Sequence, residues 1–386
     1  MTGDLTGEET WDVVVVGAGP AGATAALAAR RAGADRVLLL DREDFPRDKS
    51  CGDGIAPHVL DVLGELGAGD VVAGWTPLQH LDLSRGERLV SGRMARPVWV
   101  IPRTVFDARL VEHAVAAGAV LRRHRVRQIV RDGGTHLIDD TLRARVVVGA
   151  DGANSTVRSA LGLPRTARRA VALRGYSPTP PGRRGRQVIR YGERTQPSYA
   201  WAFDRGDGWS NVGYGELAGS AAPPTRALLL DQLARLLPGS VEGGRDWRGH
   251  HLPLSGWGWG SDQPDGSALL VGDAAGLVNP MTGEGIYYAV VTGASAGRAA
   301  ARSIEDGRSD GAGARHRDSV GRLLGRHLHH TWLAARLCSR PSIIDAGITA
   351  AGRDPRAFDA LVELGLGDGR ITPRLAGALA TGLVRN

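Results

Sequence analysis

The arrangement that most restricts this chain is a glycine triplet, Gly17, Gly19 and Gly22, set between a β-branched run and an alanine-rich segment. Asp12 to Val16 reads as a short buried strand and Ala21 to Ala32 as a helix, so the glycines occupy a tight strand-to-helix turn. The first glycine permits the turn. The second lets a pyrophosphate approach the backbone at the helix N-terminus, and the third packs helix on strand. A second buried strand, Arg36 to Asp41, ends on a carboxylate about 20 residues further on, the spacing that places an acid on ribose hydroxyls. The opening is therefore a βαβ unit with a parallel sheet and a dinucleotide site.

Pro57 to Leu66 and Arg103 to Ala117 read as further helices. Two more apolar strands, Arg145 to Ala150 and Ala268 to Gly272, each run into an aspartate turn. Between them the texture changes. Gln187 to Tyr191, Ser198 to Phe203 and Ser210 to Tyr214 alternate in polarity between Gly, Pro and Asp breaks, which predicts antiparallel strands. From Gly283 the pattern is helical to the end, broken near Pro341, Pro355 and Pro373. The fold class expected is α/β: a Rossmann-like domain over 10–75, 103–165 and 266–305, interrupted by a β-rich substrate domain over 76–102 and 166–265. A helical C-terminal region follows over 306–386.

One glycine turn does not distinguish one dinucleotide from another, and two later segments do. Gly149-Ala150-Asp151-Gly152-Ala153-Asn154-Ser155, with Arg158 one turn on, resembles the strand-end Asp-Gly segment of the glutathione-reductase-like FAD monooxygenase and reductase superfamily. Leu270 to Ala275, followed by Asn279-Pro280-Met281-Thr282-Gly283-Glu284-Gly285-Ile286, resembles its ribityl-binding Gly-Asp motif. The resemblance implies one FAD. Asp273 would accept from a ribityl hydroxyl and the turn at Gly285 and Ile286 would offer amides to phosphate or to the flavin carbonyl edge. Asp273 is expected to be more buried than Asp41.

A narrower resemblance lies in Phe45-Pro46-Arg47-Asp48-Lys49-Ser50-Cys51-Gly52-Asp53-Gly54, which is similar to a segment of the geranylgeranyl reductase family, flavoenzymes that saturate prenyl double bonds. Tyr199-Ala200-Trp201-Ala202-Phe203 resembles that family's Tyr-x-Trp-x-Phe-Pro segment, with Asp204 standing where the family has proline. The resemblance implies that Cys51, Gly52 and Gly54 line the flavin, that Arg103 reaches toward it, and that Val126 presents backbone to the adenine. Tyr199 and Trp201, two residues apart on a strand, would share a face as an aromatic wall for an apolar substrate. Cys51, in a glycine-rich loop with an accessible thiol, would be the proton source or a positioning contact.

FAD motifs alone leave the reaction open. The family resemblance favours a reductase passing hydride to a carbon–carbon double bond of a prenyl chain or natural-product intermediate. The alternative is a monooxygenase that hydroxylates or epoxidises a secondary metabolite through an oxygen adduct of the flavin. The halogenase branch relies on a lysine, and Lys49, the one lysine here, is the sole candidate. No second dinucleotide fingerprint occurs, so NAD(P)H or another reductant would bind transiently.

Composition excludes other classes. The net charge of +7 is almost all arginine, and the clusters Arg122 to Arg131 and Arg183 to Arg186 lack the interleaved aromatics of a nucleic-acid groove. They read as solvated faces, though a basic surface can touch anionic lipid at the membrane periphery. No apolar run is long enough to span a bilayer. Met1 to Thr10 reads as a short disordered leader without signal-peptide order, and two distant cysteines, Cys51 and Cys338, fit a reducing cytoplasmic setting. His327, His329 and His330 lack a carboxylate or thiolate at ligand spacing, which predicts no metal and a solvated helix face. Trp257 and Trp259 either cap the pocket or pack.

Overall fold

The computed structural model describes residues 9–165, 169–219 and 224–384. Most of the expected leader, residues 1–8, lies outside them. The strands are β1 (Glu9–Val16), β2 (Val37–Asp41), β3 (Gly54–Ile55), β4 (Leu78–Arg85), β5 (Arg88–Val100), β6 (Val120–Arg123), β7 (Ile129–Asp132), β8 (Thr135–Ile138), β9 (Leu142–Gly149), β10 (Arg169–Pro178), β11 (Arg186–Tyr191), β12 (Ser198–Asp204), β13 (Trp209–Leu217), β14 (Arg245–Pro253) and β15 (Ala268–Leu270). The helices are α1 (Pro20–Arg31), α2 (Pro57–Glu65), α3 (Arg103–Ala116), α4 (Thr156–Ala160), α5 (Arg226–Leu236), α6 (Ile286–Glu305), α7 (Ala312–Leu337), α8 (Pro341–Arg353), α9 (Pro355–Leu366) and α10 (Pro373–Val384).

A seven-stranded sheet runs β6-β2-β1-β9-β8-β7, with β15 also on β9. Its parallel centre aligns Val13 with Val37 and Val146, and Val16 with Leu40 and Gly149. Both faces are covered, which is why Val13 to Val16, Leu38 to Leu40 and Val146 to Val148 are apolar without alternation. The alanines of α1 let α6 lie against it, and Gly293 of α6 sits where a Cβ would come 2.3 Å from the Ala21 carbonyl oxygen.

An eight-stranded sheet runs β14-β10-β13-β12-β11-β4-β5-β3. It is antiparallel except where β11 meets β4, which are parallel because a long excursion through the other sheet separates them. One face, with Ala200, Ala202, Val212 and Tyr214, is covered by Leu229 and Leu233 of α5. The other face carries Tyr199, Trp201 and Phe203 and looks onto a cavity. Over β4 and β5 that cavity is closed by α8 and α9, with Ile344, Ile348 and Phe358 packed on Leu78, Leu81, Met94 and Val98. Pro341, Pro355 and Pro373 each stand at the start of a helix, where the missing N–H has no intrahelical partner to lose. Among the described residues no helix is long and apolar enough to cross a membrane.

Tertiary packing corrects some local readings. His327 is not on a solvated face: it is 1% exposed, its ring bonded to the Tyr288 hydroxyl at 2.6 Å and to the Gly369 carbonyl at 2.6 Å. His330 is half-buried and accepts from the Ile371 amide. Trp259 is buried core, whereas Trp257 lies exposed on His329, and neither lines the cavity. Asp204 does not face the cavity either. Its carboxylate ends β12, accepting from the amides of Gly185 and Gly206 and from the Thr179 hydroxyl, work a proline could not do.

Candidate functional site

The glycine turn opens at Gly17, whose φ of +98° suits a residue without a side chain. A Cβ there would come 2.4 Å from the Ala150 carbonyl oxygen, and one on Gly22 would come 1.7 Å from that of Gly17. Gly19 differs. A Cβ on it would meet only two guanidinium ends, Arg47 Nη2 at 3.2 Å and Arg103 Nη2 at 3.8 Å. Both arginines are held by Asp107, which is fully buried: Arg103 donates to its two oxygens at 2.5 and 2.7 Å, and Arg47 Nη1 lies 3.1 Å from Oδ2. An uncapped helix N-terminus and two tethered cations around an open backbone form a cradle for a diphosphate. Arg47 and Asp107 were legible only in part, Arg47 inside the family-like segment and Asp107 four residues after Arg103 on one helix face.

Asp41 accepts from the Ala18 amide at 2.8 Å and the Glu43 amide at 3.0 Å, so its carboxylate shapes the glycine turn. Beyond it, Arg42, Glu43, Arg123, His124 and Arg125 line an open depression. The Val126 side chain points into the core, leaving backbone as what it can offer there.

At the second motif, Asp151 caps α4, accepting from the Thr156 and Val157 amides at 2.6 and 3.2 Å. Arg158 then donates to the Ala274 carbonyl at 3.3 Å, tying this motif to the third. Asp273 is paired with Lys49 at 3.1 Å and lies 3.9 Å from His250. Burial raises its pKa, but Lys49 and His250 outweigh that and hold the carboxyl well below the usual range. The expectation that Asp273 is the more buried acid is not met, since the side-chain exposures are 15% for Asp273 and 9% for Asp41. Gly285 precedes α6 and Ile286 begins it, while Glu284 accepts from the Tyr287 amide at 2.9 Å. Burial pushes Glu284 up to about 7.

The Cys51 to Gly54 loop faces these groups across the cavity. Asp53, with φ of +60° and no exposure, is pinned through one oxygen by the Tyr176 hydroxyl at 2.6 Å and the Asn211 amide at 2.8 Å. Its other oxygen has no partner among the described residues, and burial pushes the carboxyl up to about 6. Asn211 also donates to the Cys51 carbonyl at 2.8 Å and accepts from the Trp201 indole at 2.9 Å, so wall and loop share one network. In the sequence Asp53 and Asn211 stand in or beside the family-like segments without a role and nothing singles out Tyr176, because only the fold brings β10 and β13 onto this loop. Cys51 is half-buried and opens on the cavity rather than on bulk water, and burial raises its thiol pKa.

Tyr199 and Trp201 share a face as their spacing requires, ring centroids 6.0 Å apart, with Trp201 lying over Gly213. Tyr199 donates to the Thr282 carbonyl, joining the wall to the α6 turn. Past Ile189 and Tyr191 the cavity, about 300 Å3 in volume, becomes apolar and ends among Cys338, Ile344, Ile348, Leu361 and Leu379. Gly17, Gly19, Gly22, Asp41, Arg103 and Asp107 thus cluster about the glycine turn; Arg103 also lines the cavity, together with Cys51, Gly52, Gly54, Asp273, Gly285 and Ile286, and Tyr199 and Trp201 begin its apolar arm.

This fold and this sequence of sites define an FAD-dependent oxidoreductase. An FAD-binding-domain family model matches residues 10–177. Menaquinone reductase of Mycolicibacterium smegmatis is 36% identical over 316 residues, covering 73% of this chain and 74% of that protein. Digeranylgeranylglycerophospholipid reductase 2 of Methanopyrus kandleri is 30% identical over 384 residues, covering 92% and 93%. A solved geranylgeranyl bacteriochlorophyll reductase-like protein of Thermoplasma acidophilum superposes with a TM-score of 0.78 at 21% identity, over 98% of this chain and 96% of that one. The chain belongs to the geranylgeranyl reductase family of FAD-dependent oxidoreductases.

Proposed function

We propose that the chain reduces a carbon–carbon double bond in the prenyl portion of a hydrophobic molecule such as a prenylated quinone or lipid. The observation that carries this reading is the apolar arm, which leaves the Cys51 loop, passes Tyr199 and Trp201 and ends among aliphatic side chains of α8 to α10. A flexible isoprenoid fits such a lining, and the relatives' names, menaquinone reductase and digeranylgeranylglycerophospholipid reductase, supply the substrate class.

Bound FAD would supply a hydride, with NAD(P)H or another reductant as transient donor. The chain's own residues would do the rest. Arg47, Arg103 and the Gly17 to Gly22 turn would hold the pyrophosphate, Asp41 the ribose, Val126 backbone the adenine and Asp273 the ribityl chain. The amides at Gly285 and Ile286, with Cys51, Gly52 and Gly54, would hold the flavin. Saturating a double bond also requires a proton. Asp53 and Glu284 line the cavity with pKa values of about 6 and about 7, which matches them to proton donation near neutrality. Burial makes the Cys51 thiol a weaker acid, so Cys51 takes the positioning role, and Glu284, half-buried where Asp53 has no exposed surface, donates the proton.

The test is anaerobic reduction of the FAD-loaded protein followed by mixing with a prenylated quinone or a geranylgeranyl lipid. Flavin reoxidation with a product heavier by two hydrogens is expected. A product carrying label from molecular oxygen, with no anaerobic turnover, would make it a monooxygenase.

A further inference from the structure

The outward half of α7 carries a pattern that the redox site does not use. From Ser319 to Ile344 the chain holds Arg322, Arg326, Arg336 and Arg340 and no aspartate or glutamate. At 3.6 residues per turn, positions 322, 329 and 336 fall on one stripe, 326 and 333 on the next, and 323, 330 and 337 on a third. Leu323, Leu333 and Leu337 on these stripes are 49%, 43% and 36% exposed. Trp257, 57% exposed, lies against His329 with ring centroids 4.3 Å apart and against Trp332 at 5.2 Å, and the Arg336 guanidinium sits over Trp332. The opposite side of α7, with Val320, Leu324, His327, Leu328 and Thr331, is buried.

Elsewhere the arginines are commonly paired, as Arg85 is with Asp345 and Arg96 with Asp61. None of the four has a carboxylate partner among the described residues; the Arg336 guanidinium lies over the Trp332 ring, while its carbonyl accepts from the Ser339 hydroxyl. Unpaired guanidiniums beside exposed leucine and tryptophan suit one surroundings above others. The cations match phosphate headgroups, and the leucines and indole match the boundary between headgroup and acyl chain.

We infer that this face docks the protein on an anionic phospholipid bilayer. A nucleic acid would gain nothing from the leucines. Position adds a second argument. Cys338, directly after Leu337, and Ile343 and Ile344 at the start of α8 line the apolar end of the cavity, together with Leu379 of α10. Leu383, also exposed, lies one residue past Gly382, which packs on Ala346 of α8. The bilayer-facing edge is therefore continuous with the end of the arm assigned to a prenyl chain, and a lipid substrate would pass from membrane to cavity with little exposure to water. That last step rests on the prenyl reading, whereas the docking does not.

The experiment uses the FAD-loaded full chain sedimented with vesicles of phosphatidylcholine alone or mixed with phosphatidylglycerol. Binding to the anionic vesicles that weakens with salt is expected. Reversing Arg326, Arg336 and Arg340 to Glu together should weaken it about a hundredfold, and Leu333→Ser with Leu337→Ser should also reduce it. Leu121→Ser, a comparably exposed leucine on β6 at the outer edge of the seven-stranded sheet, should change nothing. No vesicle binding by the wild type, undiminished binding by the variants, or binding only to duplex DNA would each overturn the assignment. Anaerobic reduction of a detergent-dispersed prenyl substrate should survive in the variants. Its absence from the wild type while vesicle binding persists would remove the prenyl reading and leave the docking face standing.

Discussion

The two ends of the site are built on opposite principles. About the glycine turn, cations and carboxylates are locked to one another, Arg47 and Arg103 on Asp107 and Asp41 on the Ala18 amide, and Lys49 is locked on Asp273 further along. At the far end, Ile344, Ile348, Leu361 and Leu379 offer no directional contact at all. A cofactor held through fixed charge-assisted bonds must sit in one place, whereas a chain held by apolar area can slide along its groove. The difference suits a constant cofactor and a movable substrate, and the middle of the cavity, where Asp53 and Glu284 lie, is where the two regimes meet.

The largest effect should come from the most rigid point. Gly19→Val puts a branched side chain against two guanidinium ends and no backbone, so the chain should fold yet lose FAD affinity by at least about a hundredfold, the equivalent of roughly 2.7 kcal/mol. Circular dichroism with flavin titration checks both halves. Gly22→Ala is the contrast: its Cβ meets backbone at 1.7 Å, and soluble protein should be lost altogether.

Next in size is Asp41→Ala. It removes a carboxylate that holds the Ala18 amide and is proposed to hold the ribose, and loss of such a charged hydrogen bond costs about 1.5–3 kcal/mol. FAD should dissociate about ten- to hundredfold more readily, and more readily than from Asp273→Asn. Equal dissociation constants for the two variants would show that the ribose corner is not the tighter anchor.

On the substrate side, Trp201→Ala should leave flavin content unchanged and slow the substrate half-reaction, because the wall and the Asn211 contact go together. Trp201→Phe keeps the wall and loses only the hydrogen bond. A rate between wild type and alanine is expected in stopped flow, and a rate equal to that of alanine would assign the whole effect to the Asn211 network.

The middle of the cavity should respond to pH. Asp53, ordinarily near 3.8, titrates at about 6 when folded, and Glu284, ordinarily near 4.5, at about 7. The folded chain therefore binds more protons than the unfolded one between pH 4 and 7, and their contribution to stability is lost as pH rises through that window. For Asp53 the shift is worth about 3 kcal/mol. Asp53→Asn should flatten the decline in melting temperature, whereas Glu284→Gln should slow substrate reduction at every pH and remove its alkaline fall. Asp273, with its pKa lowered, works in the opposite sense and only at more acidic pH. The smallest effect is expected at the thiols: Cys51→Ser should slow substrate reduction modestly, and Cys338→Ser, at the apolar end, should leave it unchanged.

What the sequence determined by itself was everything governed by short range. The Gly17 to Gly22 turn, Asp41 at a strand end, the Asp151 and Asp273 turns and the two-residue spacing of Tyr199 and Trp201 are local patterns, because backbone period and turn sterics act over a few residues. Only the tertiary structure decided which distant groups meet. Tyr176 reaches Asp53 across 123 positions and Lys49 reaches Asp273 across 224, with no periodic signal to announce either. The same reason put His327 inside rather than on a wet face and turned Asp204 away from the wall. A helix face is read as exposed until a neighbour covers it, and that neighbour, the Gly369 turn before α10, comes from a segment whose position no local pattern specifies.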